Sequence, residues 1–220
     1  MAKLGRPRAK GPSESGRSTE EDILLAAAKL FTEIGYGSTS THRLADEAGL
    51  SQATMYHYFA GKKDVLLALL LETVRPSVTF AQAVVPRPEP TAARIWALCA
   101  YDARLLLSGR HNVGALYLVP ELSDDHFTPF HAERKKLYIA YRKLVGEALG
   151  LGAREAHPLA SAAFGLVESV ILRRRTEGRL PQSTPPLIAD SALRILGLDP
   201  VTHSAGDALV EEIGAELPVD

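Results

Sequence analysis

The sequence predicts an all-α protein, with a compact helical front of about 62 residues followed by a larger helical remainder. Three observations predict it. Apolar residues recur three and four positions apart along most of the chain. Serines, threonines and glycines stand where helices start and stop. No run of alternating β-branched residues reads as a strand, and no internal repeat is evident. The 220 residues are 46% apolar and 23% charged, enough to bury a core without disulfides. One cysteine, Cys99, excludes an intrachain bridge and fits a reducing compartment. No apolar run is long enough for a membrane span: "VLLALLL", 65–71, is about a third of the roughly 18 residues required. With no apolar signal region at the amino terminus, the protein is expected in the cytoplasm.

Residues 1–17, "MAKLGRPRAKGPSESGR", carry Lys3, Arg6, Arg8, Lys10 and Arg17 against Glu14, a local balance of five minus one, or +4, in a chain whose net charge is -1. With two prolines and three glycines, the segment is expected to be a disordered basic arm. Its "GRPR" resembles short elements with which flexible arms enter the minor groove of DNA, and a solubilising tail is the alternative.

Helices come next. Ser18 and Glu21 have the spacing of a capping box, and Ile23, Leu24, Ala27, Leu30, Phe31 and Ile34 form one apolar stripe that Gly35 ends. A second helix begins at Ser40 or Thr41, with Leu44, Ala45 and Ala48 inward, and stops before Gly49. A third, short one starts after the cap Ser51. The fourth starts near Lys62 and runs through Val74, with Pro76 marking a kink or an end. "VVPRPEPT", 84–91, reads as an internal linker, with Thr91 capping the next helix. Further helices are expected at about 91–109, 113–119, 127–149, 154–178 and 185–197, with a shorter piece near 205–214.

The turn "AGLS", 48–51, joins two short helices as in a helix-turn-helix, whose second helix lies in the major groove. In "SQATMYHYF", 51–59, a helical turn of about 100° per residue puts Met55 and Phe59 on one face, with Tyr58 beside them. Tyr56 and His57 point away with Ala53. "AAAKLFTEIGYGSTSTHRLADEAGLSQATMYHYFAGKKDVLLALL", 26–70, resembles the tetracycline-repressor-like transcriptional regulators. The resemblance covers about the first third of the chain and implies a helix-turn-helix DNA-binding domain over 18–62 and a helical ligand-binding and dimerisation domain over 63–220. It implies that Thr41, His42, Gln52, Ala53, Thr54, Tyr56, His57, Tyr58 and Lys62 approach operator DNA. Gln52 can pair with an adenine edge and the Thr54 methyl can touch thymine, while tyrosine hydroxyls donate to phosphates. Ala53 stands where the family often has glycine or proline, and His42 where an arginine or another polar residue serves in base contact, so the operator does not carry over.

The resemblance also implies a homodimer, built on "REAHPLASAAFGLVESVILRR" and "LIADSALRILGL", that acts as a repressor released by an unidentified small molecule and lies on the nucleoid when bound to DNA. In the first of these helices Leu159, Ala163, Leu166, Val167 and Val170 repeat at helical spacing, and Ala160, Ala163 and Gly165 permit close approach. Candidates for the effector pocket are Trp96, Cys99, Tyr101, Tyr117, Phe130, Tyr138, Phe164 and Glu168. A carboxylate at 168 within an apolar helix is costly unless it is paired or faces a wet cavity. No metalloprotease, Walker or nucleophile-elbow pattern suggests an enzyme, and no cofactor is expected. "DDHFTPFHAE", 124–133, gathers acids and histidines, which serve as helix caps and solvated surface or, less simply, as metal ligands.

Overall fold

The computed structural model describes residues 16–199 and 203–217, so the expected arm lies outside the described residues except for Gly16 and Arg17. Within that range the regular elements are helices: α1 (Thr19–Glu33), α2 (Thr41–Glu47), α3 (Gln52–Tyr58), α4 (Lys62–Val84), α5 (Thr91–Leu107), α6 (Thr128–Leu149), α7 (Ala153–Glu177), α8 (Thr184–Ile195) and α9 (His203–Glu216). Three 3₁₀ turns, Val113–Leu118, Pro120–Ser123 and Asp125–Phe127, connect α5 to α6.

The starts of the first three helices are fixed by serines. Ser18 and Glu21 form a reciprocal capping box on α1. Ser40 accepts from the Arg43 amide and Ser51 from the Thr54 amide, so α2 and α3 each begin with a satisfied donor. Between them Gly49 takes a φ of +67°, a left-handed conformation that glycine adopts without steric cost, and the Leu50 amide returns to the Ala45 carbonyl at 2.8 Å.

Two compact units result. The first contains the described residues through Glu72 together with His111–Thr128, and the second contains Thr73–Arg110 and the residues from Pro129 onward. The first is therefore larger than the 18–62 segment that the motif marks out: it takes in the opening turns of α4 and the 3₁₀ connection. In it α1 packs on α2 and on the first 3₁₀ turn, and α2 packs on α3. In the second, α5 packs on α7, α8 and α9, and α7 on α8. The core of α5 is nearly continuous from Ala93 to Ala100.

Three expectations change. The fourth helix does not end near Pro76 but continues to Val84, because Val78, Phe80, Ala81 and Val84 are buried and their burial outweighs the hydrogen bond that a proline cannot donate. The segment 113–119 is 3₁₀ rather than α: Val119, before Pro120, is held extended at ψ 138°, which stops any longer helix. Pro90, not Thr91, is the cap of α5, and the Thr91 hydroxyl instead donates to Glu147 and accepts from Arg94.

α9 rests on α5 through glycine. A Cβ at Gly206 would overlap the Trp96 ring, whose Nε1 donates to Asp190 at 2.8 Å, whereas a Cβ at Gly214 of the same helix meets nothing. Gly206→Ala is expected to lower the melting temperature by an amount equivalent to about 1–3 kcal/mol, the cost of overpacking. Gly214→Ala should raise stability by about 0.5–1 kcal/mol. Scanning calorimetry of the two variants checks the contrast.

Candidate functional site

α3 presents a divided surface. Met55 is completely buried and Phe59, which ends the helix in an extended conformation, is nearly so. Tyr56 and Tyr58 keep 47% and 42% of their surface exposed, and Gln52, Ala53 and His57 are exposed as well. Tyr58 therefore stands outside with Tyr56 and His57 rather than beside the core pair.

The exposed side chains are tied to one another. Gln52 Nε2 donates to Thr41 Oγ1 at 3.2 Å, and the same hydroxyl shares a hydrogen bond with the Tyr56 phenol at 3.2 Å. Thr41, at the start of α2, so bridges both turns of α3. The Thr54 hydroxyl pairs with Ser51 Oγ at 2.8 Å, which leaves its methyl as the group on offer. His42 Nδ1 lies 2.9 Å from Asp46 Oδ2, one turn along α2. Lys62 is turned inward: its Nζ donates to the Tyr36 carbonyl at 2.8 Å and lies 4.2 Å from the centre of that ring. Burial lowers its pKa against the opposing influence of Glu121. Arg43, which the motif did not mark out, is exposed beside His42, and its place in "THRLADE" was the available signal.

Asp124 and His126 of the cluster at 124–133 pair with each other and with the start of α4. Asp124 accepts from the His126 amide and from Lys63, and His126 Nε2 is 3.2 Å from Asp64 Oδ1. Among the described residues no group of three His, Cys, Asp or Glu side chains is placed to hold a metal ion.

The second unit holds a different arrangement. Asp102 on α5 is buried, accepting from Ser77 Oγ of α4 at 2.7 Å and from the Tyr141 phenol of α6 at 3.1 Å. Burial pushes its carboxyl up to about 6, partly opposed by those two hydrogen bonds, with Glu168 raising it further and Arg134 lowering it. Cys99, buried beside it, is pushed up to about 12. Tyr101 stacks on Phe80 at 3.9 Å, and Phe164 stands edge-on to Tyr141 at 5.1 Å and to Tyr138 at 5.9 Å. Glu168 pairs with Arg134, whose guanidinium lies 5.7 Å from the Phe164 ring and 6.0 Å from that of Phe130. Tyr138 hydrogen-bonds to His157 at 2.5 Å.

Of the eight pocket candidates, Cys99, Tyr101 and Glu168 lie within electrostatic reach of Asp102 and Phe164 packs on Tyr141; the polar centre itself, Asp102, Ser77 and Tyr141, the sequence did not single out. Trp96 is occupied in the packing of α5 with α8 and α9. Tyr117 belongs to the first unit, within its first 3₁₀ turn, whereas the other candidates belong to the second.

Asp102 makes stability depend on pH. Its folded pKa lies above the unfolded value of 3.8, so the folded state binds the proton more tightly. The resulting stability is fully present below about pH 4 and is lost as pH rises through about 6, a difference of about 3 kcal/mol. Asp102→Asn, which cannot ionise, is expected to melt above the native protein at pH 7.5 and to lose that advantage near pH 4. Thermal denaturation across that range is the check.

Comparison with known proteins agrees with this architecture. Residues 23–69 match the family described as bacterial regulatory proteins, tetR family. The crystal structure of AmtR from Mycobacterium smegmatis is similar over 93% of this chain and 98% of that one, at 42% identity and a TM-score of 0.83. The fatty acid metabolism regulator protein of Bacillus subtilis is 30% identical over 91 residues, 41% of this chain, and the match spans only 46% of that relative's length. FadR from Bacillus subtilis, solved in complex with stearoyl-CoA, shares the fold, with a TM-score of 0.64 at 18% identity over 80% of this chain and 96% of that one.

Proposed function

Because the chain belongs to the tetR family of bacterial regulatory proteins, we propose that it acts as a homodimeric repressor, released from its operator by a small molecule bound in the second unit. That it is a DNA-binding transcriptional regulator comes with the family; the dimer, the repression and the release are the proposal. The observation that carries it is the divided surface of α3. Buried Met55 and Phe59 aim a helix whose exposed tip is Gln52 and whose flank is Tyr56, His57 and Tyr58.

In this reading Gln52 and the Thr54 methyl meet base edges, Tyr56, Tyr58 and His57 meet phosphates, and Ala53 gives the backbone close access. Thr41 and His42 approach from α2. Lys62 orders Tyr36 and lends positive charge at the start of α4 rather than reaching out as a free contact. Lys3, Arg6, Arg8, Lys10 and Arg17 of the arm add phosphate contacts that steepen the salt dependence.

Apolar side chains that the chain leaves exposed on α7 and α8 support a subunit interface there. Leu172, Leu187 and Ile195 are 54%, 53% and 47% exposed, and Gly165 is exposed too. Ala160, Ala163, Val167 and Val170 are buried within the chain itself, so they support the interface from behind. Two recognition helices must meet successive major grooves about 34–36 Å apart, so an effector that alters their spacing weakens binding without touching a base contact. The stearoyl-CoA complex of FadR is an instance of this fold holding a small molecule. The polar centre around Asp102 is the place we assign to an effector in this chain.

Fluorescence anisotropy with DNA from upstream of the protein's own gene tests the reading. Gln52→Ala should reduce discrimination between the operator and a base-changed variant by about 1–3 kcal/mol, while Tyr56→Phe weakens both sequences alike. Leu187→Glu should yield monomers by light scattering and abolish tight binding to a two-half-site operator. Full operator affinity in a monomeric Leu187→Glu protein would refute the dimer.

A further inference from the structure

Among the described residues Asp102 is the only buried carboxylate, and the partners seen on its two oxygens, Ser77 and Tyr141, are neutral donors. The nearby ion pair brings a carboxylate as well as a guanidinium. Arg134 is engaged by Glu168, and of the two charges Glu168 acts on Asp102 the more strongly. A buried carboxylate without a cation against it is costly, and an isosteric amide would avoid that cost. Aromatic rings, which attract cations, lie close by: Phe164 packs edge-on with Tyr141, whose phenol holds Asp102, and Tyr101, next along the chain, stacks one face on Phe80.

The protein already uses this chemistry on itself. The Arg134 guanidinium is held by the Glu168 carboxylate over the Phe130 and Phe164 rings. Both members of that pair keep about a quarter of their side chains exposed, so the cluster reaches solvent through charged groups.

We propose that Asp102 anchors a binding site for a small organic cation bearing N–H donors, a primary ammonium or a guanidinium, with Tyr141, Phe164 and Tyr101 as its aromatic surround. This rests on the reading that the second unit binds an effector, and it names the effector's chemical class. The cation takes Asp102 from Ser77. Ser77 follows Pro76 in α4, where the helix already lacks one amide donor, so the bond exchanged lies at the weakest point of that helix.

Isothermal titration of the full-length protein at pH 7.5, without DNA, decides the matter. The probes are n-butylammonium and n-butylguanidinium, with 1-butanol and butyrate as neutral and anionic controls of matched length. The expected result is saturable binding of a cation, no binding of either control, and at least tenfold weaker binding in Asp102→Asn. Ser77→Ala, which keeps the carboxylate and removes its competitor, should bind the cation several-fold more tightly. The proposal fails if neither cation saturates, if butanol binds as well as the cations, or if a folded Asp102→Asn protein binds them undiminished. Should that variant not fold, the comparison of cations with butanol on the native protein still decides. A cation that binds at Asp102 but leaves operator affinity unchanged counts against release by an effector and leaves the site standing.

Discussion

One helix, α4, has to stay continuous through a proline. Pro76 offers no amide hydrogen to the turn before it, and a proline within a helix costs about 3 kcal/mol. Against this, Val78, Phe80, Ala81 and Val84 beyond it and Val74 just before it are buried, and full burial of a large apolar side chain is worth about 1.5–3 kcal/mol each. Burial wins, and α4 runs unbroken from Lys62 to Val84. Its first turns belong to the unit that carries the helix-turn-helix, and the rest, with Ser77, belongs to the unit that carries Asp102. Ser77 is thus part of the same continuous helix that begins at Lys62.

The recognition helix is the other side of this economy of elements. Two turns of helix are not stable alone in water. α3 exists because Ser51 caps it, Met55 and Phe59 sink into the core, and Thr41 reaches across to Gln52 and Tyr56. The same contacts that stabilise it fix which side chains face outward. Stability and aim come from one set of residues.

Much of this was legible in the sequence. The caps Ser18, Ser40 and Ser51, the turn at Gly49 and the outward placement of Tyr56 and His57 come from local rules and helical spacing, which tertiary packing here reinforces. The passage of α4 through Pro76 was not, because a local signal for a break was overridden by burial that only the fold supplies. The polar centre of the second unit was half legible. Glu168 drew notice as a carboxylate in an apolar helix, yet its partner, Arg134, lies 34 residues away and the pair stays part-exposed. Asp102 offered the same signal in "ALCAYDARLLL", three residues from Cys99 and four from Leu106, both buried. Its donors, Ser77 and Tyr141, come from other helices, and no spacing rule links them.

The central claim is that the exposed face of α3, presented twice by a dimer, reads a specific DNA sequence. Selection of bound fragments from random DNA at physiological salt tests it most directly. A dimeric regulator of this kind enriches an inverted repeat whose half-sites lie about 34–36 Å apart, one helical turn of DNA. Recovery of fragments with no shared sequence, or of a lone half-site bound as tightly as the pair, would contradict it.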